Sequence, residues 1–204
     1  IYVIEGDTLE TESVYWGLAL KAYDKHSENY NRNGVYAMDM QLDGAKHFSF
    51  SLDAIPVSDT RYLNAHLDYE ERILNSSYYN RFFKLPGNKL DIYSGSQGDG
   101  FVGNTNRVKE VVINVFDING NVSKLKFFVK ETKREVKSKA PFHNYYLFHN
   151  HPNLVVKDNF EVYFPENSLY ADVLVHIDMI SDKSEGYYSD VLKLHSKLVP
   201  LHKP

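Results

Sequence analysis

In run after run of this chain, apolar residues fall on every second position, the period of a half-buried β-strand. Residues 13–24 carry Val14, Trp16, Leu18 and Leu20 on one side. After the turn-rich stretch 24–34, residues 35–42 place Tyr36, Met38, Met40 and Leu42 in one register. Asp43-Gly44 readily takes the positive φ of a type I′ turn, so residues 47–52 are expected to fold back as an antiparallel neighbour. The strongest signal is residues 108–130, where two alternating runs flank Asp117-Ile118-Asn119-Gly120 and predict a hairpin about an Asn-Gly turn.

Residues 60–85 break the pattern. Leu63, Ala65, Leu67 and Tyr69 alternate like a strand, whereas residues 70–74 prefer helix on intrinsic propensity, so extended chain followed by a short helical turn is expected. Lying between strands of one sheet system, residues 56–85 read as an insertion. Residues 131–139 (ETKREVKSK) hold almost no large apolar group and read as a solvated linker. Beyond it, residues 145–148, 160–164 and 170–177 are three further strand candidates, each bounded by Pro, Asn or Asp. The expected fold is all-β. An immunoglobulin-like antiparallel β-sandwich spans residues 1–131 with the insertion at about 56–85. A linker follows at 132–139, then a second, smaller β-sandwich at 140–204, truncated at its C-terminus.

Composition supports this reading. The 204 residues are 43% apolar and 25% charged, enough to build a core, and 16 Tyr, 12 Phe and one Trp raise the aromatic share to 14%, which favours strands. A net charge of −4 lacks the basic footprint of a nucleic-acid binder and excludes that partner. With no cysteine, disulfides, thiolate metal sites and a cysteine nucleophile are excluded. The most apolar run, residues 14–20, is far shorter than the roughly 20 residues a membrane helix needs, and no signal peptide is recognisable. A start at Ile1 rather than Met, and a stop just after Val199-Pro200-Leu201, read as a processed piece of a longer polypeptide.

Candidate chemistry is sparse. His149 and His151 are two apart, as two ligands on one strand face would be, and His143 is near in sequence. Catalytic zinc generally takes three protein ligands, however, and Pro152 indicates a turn, so loop histidines are favoured. On an extended strand Asn64, His66 and Asp68 would share a face, and a His beside a carboxylate is a potential general base. The sequence assigns neither a nucleophile nor an oxyanion donor to this group, which also holds Arg61, Glu70 and Glu71, and pairing of Arg61 with Asp59 or Asp68 would pin the insertion, which favours a structural role. The glycine-rich residues 94–103 lead into a strand and lack a Gly-Lys-Ser/Thr ending, which excludes a phosphate loop. Asp117, Asn119 and Asn121 supply too few oxygens for calcium and suit a turn. The doublets Tyr78-Tyr79, Tyr145-Tyr146 and Tyr187-Tyr188 offer rings for sugar or peptide recognition, although a β-strand doublet more often turns one ring in and one out.

Residues 31–44 (NRNGVYAMDMQLDG), 59–72 (DTRYLNAHLDYEER), 82–93 (FFKLPGNKLDIY), 115–130 (VFDINGNVSKLKFFVK) and the terminal 187–204 together resemble the region that follows the catalytic domain in lysostaphin/LytM-type zinc metallopeptidases of Gram-negative bacteria. The resemblance is spread from about Ser13 to Pro204. It implies an exported, periplasmic or envelope-associated polypeptide that cuts peptidoglycan cross-links with a zinc-bound water. In that family a His-x-x-x-Asp motif and the second His of a His-x-His motif hold the zinc, and the first His of that pair assists the reaction. The first motif is missing here, and His149-Asn150-His151 repeats only the spacing of the second. No catalytic residue, cofactor site or metal ligand is therefore assigned, and zinc is expected in the parent's catalytic domain. The expected role is accessory and non-catalytic, with the peptidase domain of the same polypeptide and peptidoglycan as partners. The alternatives are a carbohydrate- or peptide-binding module acting through exposed tyrosines, or a hydrolase using His66 and Asp68, or His149 and His151.

Overall fold

The computed structural model describes residues 8–25, 32–94, 98–132, 145–180 and 190–203. With 46% of these in strands and 10% in helices, the fold is all-β. The chain divides into two compact units, one formed by Ile1–Lys84 with Lys89–Val136, the other by Leu85–Asn88 with Lys137–Pro204.

In the first unit the strands are β1 (Thr8–Thr11), β2 (Tyr15–Trp16), β3 (Ala19–Leu20), β4 (Asp24–Lys25), β5 (Arg32–Asn33), β6 (Ala37–Leu42) and β7 (Ala45–Ser51). A 3-10 turn over Val57–Tyr62, helices α1 (Leu63–His66) and α2 (Tyr69–Asn75), and strands β8 (Asn80–Arg81), β9 (Val102–Gly103), β10 (Val108–Phe116) and β11 (Val122–Glu131) follow. The main sheet has the order β1-β11-β10-β6-β7. Strand β1 runs parallel to β11, and the other neighbours are antiparallel.

Alternation dictates which side chains meet. Phe48 pairs with Met40, Met40 with Ile113 and Ile113 with Leu125 across four strands, and Leu42, Val111 and Phe127 form the next row. Phe48, Met40 and Val111 are wholly buried, and the core cluster joins them to Trp16, Phe82, Leu90, Ile92 and Val102. Each such side chain contributes on the order of 1.5–3 kcal/mol by leaving water.

Both predicted hairpins form, by different turns. Asp43 and Gly44 have φ of 49° and 80°, as a type I′ turn requires. At the β10–β11 turn Gly120 has φ 86° while Asn119 stays at negative φ, so the connection is wider than a two-residue Asn-Gly turn. Its closing bonds run from the Asp117 amide to the Asn121 carbonyl (3.1 Å) and from the Gly120 amide to the Asp117 carbonyl (3.3 Å).

Three expectations for this unit are corrected. Residues 13–24 are not one strand: β2 and β3 are separated at Gly17-Leu18, and Val14, expected on the buried side, is 69% exposed. Gly17 faces Phe83, whose ring would lie 2.4 Å from any added Cβ. Residues 63–66 are helical rather than extended, so strand parity does not govern Asn64, His66 and Asp68. Glu131, the first residue of the expected solvated linker, is a buried end of β11. Apart from Thr132, the linker at 132–139 lies outside the described residues.

The second unit contains β12 (Tyr145–Leu147), β13 (Asn153–Lys157), β14 (Phe160–Phe164), β15 (Val173–Val175), β16 (Ile177–Ile180) and β17 (Val191–Leu194). They pair as three antiparallel ribbons, β12–β15, β13–β14 and β16–β17. Leu147, Val155, Phe164, Leu169, Val175 and Ile177 form its core. The expected strand over 170–177 splits, because Tyr170 is buried before the strand starts and Ile177 opens the next ribbon. Leu85–Asn88 joins this unit through a bond from the Gly87 amide to the Tyr170 carbonyl at 2.8 Å.

Candidate functional site

His66 ends α1 with only 1% of its surface exposed. Its Nε2 lies 3.2 Å from Asn80 Oδ1, which only accepts, so Nε2 donates and Nδ1 accepts from the Tyr93 hydroxyl, also at 3.2 Å. Phe50 packs edge-on against the ring at 4.5 Å. Burial, with a smaller contribution from the nearby Arg81 cation, pushes the His66 pKa down to about 4 against the opposing Asn80 hydrogen bond. The imidazole is thus neutral and fully hydrogen-bonded.

Asp68, its expected partner, is occupied elsewhere. Its carboxylate accepts the Glu71 amide at the start of α2 and lies 3.7 Å from Arg81. Asn64 accepts from Arg72 at 2.6 Å. These groups cap α2, tie it to α1 and pair with Arg81 on β8, each with a different partner.

Sequence reading missed Glu131. Its carboxylate accepts from Trp16 Nε1 (2.8 Å), the Thr105 amide (2.7 Å), the Thr105 hydroxyl (2.8 Å) and the Arg107 amide (3.4 Å). Burial alone would raise its pKa, but these hydrogen bonds outweigh it and hold the group below the usual carboxylate range. The available signal was its phase: Leu125, Phe127, Val129 and Glu131 lie on one face of β11, so the charge follows three inward-facing residues.

At the β10–β11 turn Asp117 accepts from the Asn121 side chain (2.6 Å) and from the amides of Asn119 and Asn121 (2.9 and 2.8 Å), and the Asn121 side chain leads in lowering its pKa. The glycine-rich segment enters β9, with Gly98 and Gly100 at positive φ and the Phe101 amide held by Asp99. Residues 95–97 lie outside the described residues.

His149 and His151 take separate partners. His149 Nδ1 lies 2.6 Å from an Asp172 oxygen that also accepts the His149 amide at 2.9 Å, while His151 Nδ1 faces Asn150 Oδ1 at 2.8 Å. The His149 amide leads in lowering the Asp172 pKa, so its carboxylate is ionised. His143 lies outside the described residues, among which no group of three or more His, Asp or Glu side chains converges as metal ligands would. Of the tyrosine doublets, Tyr78 and Tyr146 are exposed and Tyr79 and Tyr145 half-buried, while Tyr187-Tyr188 lies outside the described residues. Among the described residues no helix is long and apolar enough to cross a membrane.

Taken together these observations define an all-β protein of two units in which His66, His149 and His151 are engaged by neighbouring side chains. Residues 144–204 match the family model of the Zu5-like domain, a match that covers less than half of the chain. No curated protein and no solved structure matches it.

Proposed function

We propose that this chain is a non-catalytic accessory part of an exported peptidoglycan metallopeptidase, two β modules that hold the catalytic domain against the cell wall. The resemblance of five stretches of the sequence to the region behind such catalytic domains motivates the reading. The observation that supports it is at His66, the one candidate base beside a carboxylate in the sequence, whose two ring nitrogens are both taken by Asn80 and Tyr93 inside the fold. Zinc and the reacting water belong, on this reading, to the catalytic domain outside this chain.

Tethering a catalytic domain to its insoluble substrate raises its effective concentration there and does nothing for a soluble one. The test compares the parent enzyme with and without these 204 residues. Cleavage of intact sacculi is expected to fall about tenfold or more on their removal, while cleavage of soluble cross-linked peptides stays unchanged. An equal effect on both substrates, or stoichiometric zinc in this chain that is lost in His149→Ala, overturns the reading.

A further inference from the structure

The second unit turns a row of three rings outward, the first of them bonded to a carboxylate. Tyr146 and Phe148 are 49% and 47% exposed. Their centroids are 4.9 Å apart at 75°, and the exposed His151 ring continues the row 6.0 Å from Phe148 at 69°. Beside them Asp172 accepts the Tyr146 hydroxyl at 3.1 Å and the His149 amide and ring. Three of its roughly four acceptor sites are used, which leaves capacity for a further donor.

This exposure is built into the backbone. Tyr146 stands between half-buried Tyr145 and buried Leu147 on β12, so alternation sends its ring outward. Phe148 and His151 sit on a loop clasped by the buried Asn153. Its Oδ1 accepts the Phe148 amide at 2.8 Å, and its Nδ2 donates to the carbonyls of Phe148 (2.8 Å) and His151 (3.0 Å). The Asn167 amide binds the His149 carbonyl from the other side at 3.0 Å. A buried amide making three bonds to hold a loop that exposes a phenyl ring is the arrangement of a preorganised contact surface, which lowers the ordering cost of binding.

From this arrangement we infer that Tyr146, Phe148 and His151, with Asp172 at their side, form a carbohydrate-binding site for a pyranose chain, resting on the wall-docking reading above. Covering this patch with an apolar protein surface would strand a carboxylate and an imidazole away from water. A pyranose offers a C–H face for the rings and hydroxyls for Asp172, Asn150 and His151.

The test uses the whole 204-residue chain in co-sedimentation with purified sacculi and in titration with a β-1,4-linked N-acetylglucosamine tetramer. Saturable binding is expected, weakened about tenfold in Phe148→Ala and in Tyr146→Ala with unchanged unfolding midpoints. Tyr163→Ala, which removes a ring that is 62% exposed on β14, is expected to bind as the unsubstituted chain does. If Phe148→Ala and Tyr146→Ala bind as well as the unsubstituted chain, this site is wrong while wall docking through another surface survives. If Tyr163→Ala loses as much, the retention is unspecific adhesion and the site is wrong. If the unsubstituted chain binds neither probe, the carbohydrate site falls, and the sacculus-against-soluble-peptide comparison still judges the docking reading by itself.

Discussion

At the scale of single residues, His66 ties the fold to pH. An imidazole in the unfolded chain takes its proton near pH 6.5, whereas burial holds the His66 ring down at about 4 in the folded chain, so between those values the unfolded state binds the extra proton. The stability this group contributes is complete above pH 6.5 and drains away as the pH falls through 4, by about 3 kcal/mol in all. Urea unfolding at about pH 7 and about pH 4.5 should show most of that drop, about 2 kcal/mol, and His66→Gln, less stable at the higher pH, should lose most of the difference between the two. An undiminished drop in the variant would assign it to other groups. The position was legible in the sequence as a histidine near an acid, but its role was not. Leu63, Ala65 and Leu67 alternate as a strand would, while the chain there coils into a helix, so the side chain beside the ring is Asn80 rather than Asp68.

At the scale of elements, what was legible is what the chain encodes locally. Alternation together with Asp43-Gly44 and Asp117–Asn121 fixes the β6–β7 and β10–β11 hairpins from residues close in sequence. The short strands were hidden because distant partners define them: Tyr15 pairs with Gly103, and Ala19 with Arg81. Strand β13 was hidden for another reason, since Leu154 and Val156 face outward around the buried Val155 and erase the apolar-polar contrast. Glycines separate the two kinds of constraint. Gly100 and Gly120 share nearly the same φ, +85° and +86°, but a Cβ on Gly100 would fall 2.4 Å from both Phe48 and the Phe82 carbonyl oxygen, whereas Gly120 has open space. Gly120→Ala should cost about 1 kcal/mol for the left-handed backbone alone. Gly100→Ala should cost about 3 kcal/mol, because overpacking adds to it. Equal shifts in the urea midpoint would mean that the core beside Gly100 yields more easily than its packing implies.

At the scale of the molecule, the charged stretch that opens at Glu131 was readable as a break in hydrophobic patterning, but the assignment of Leu85–Asn88 to the second unit was not. Leu85-Pro86-Gly87-Asn88 reads as an ordinary turn, and nothing in its pattern points to residues 169 and 170, some eighty positions away. In the structure a Cβ on Gly87 would lie 2.7 Å from the Leu169 carbonyl oxygen and 2.8 Å from the Tyr170 Cα. Gly87→Ala should therefore loosen the second unit by about 2 kcal/mol. Hydrogen exchange should show faster amides in β12 to β17 and unchanged ones in β10 and β11; acceleration of the first unit alone would contradict the assignment. The same four residues bear on how the chain can be divided. The polypeptide passes between the units at 84/85, at 88/89 and at 136/137, so a single cut in the chain cannot release either unit with all of its residues.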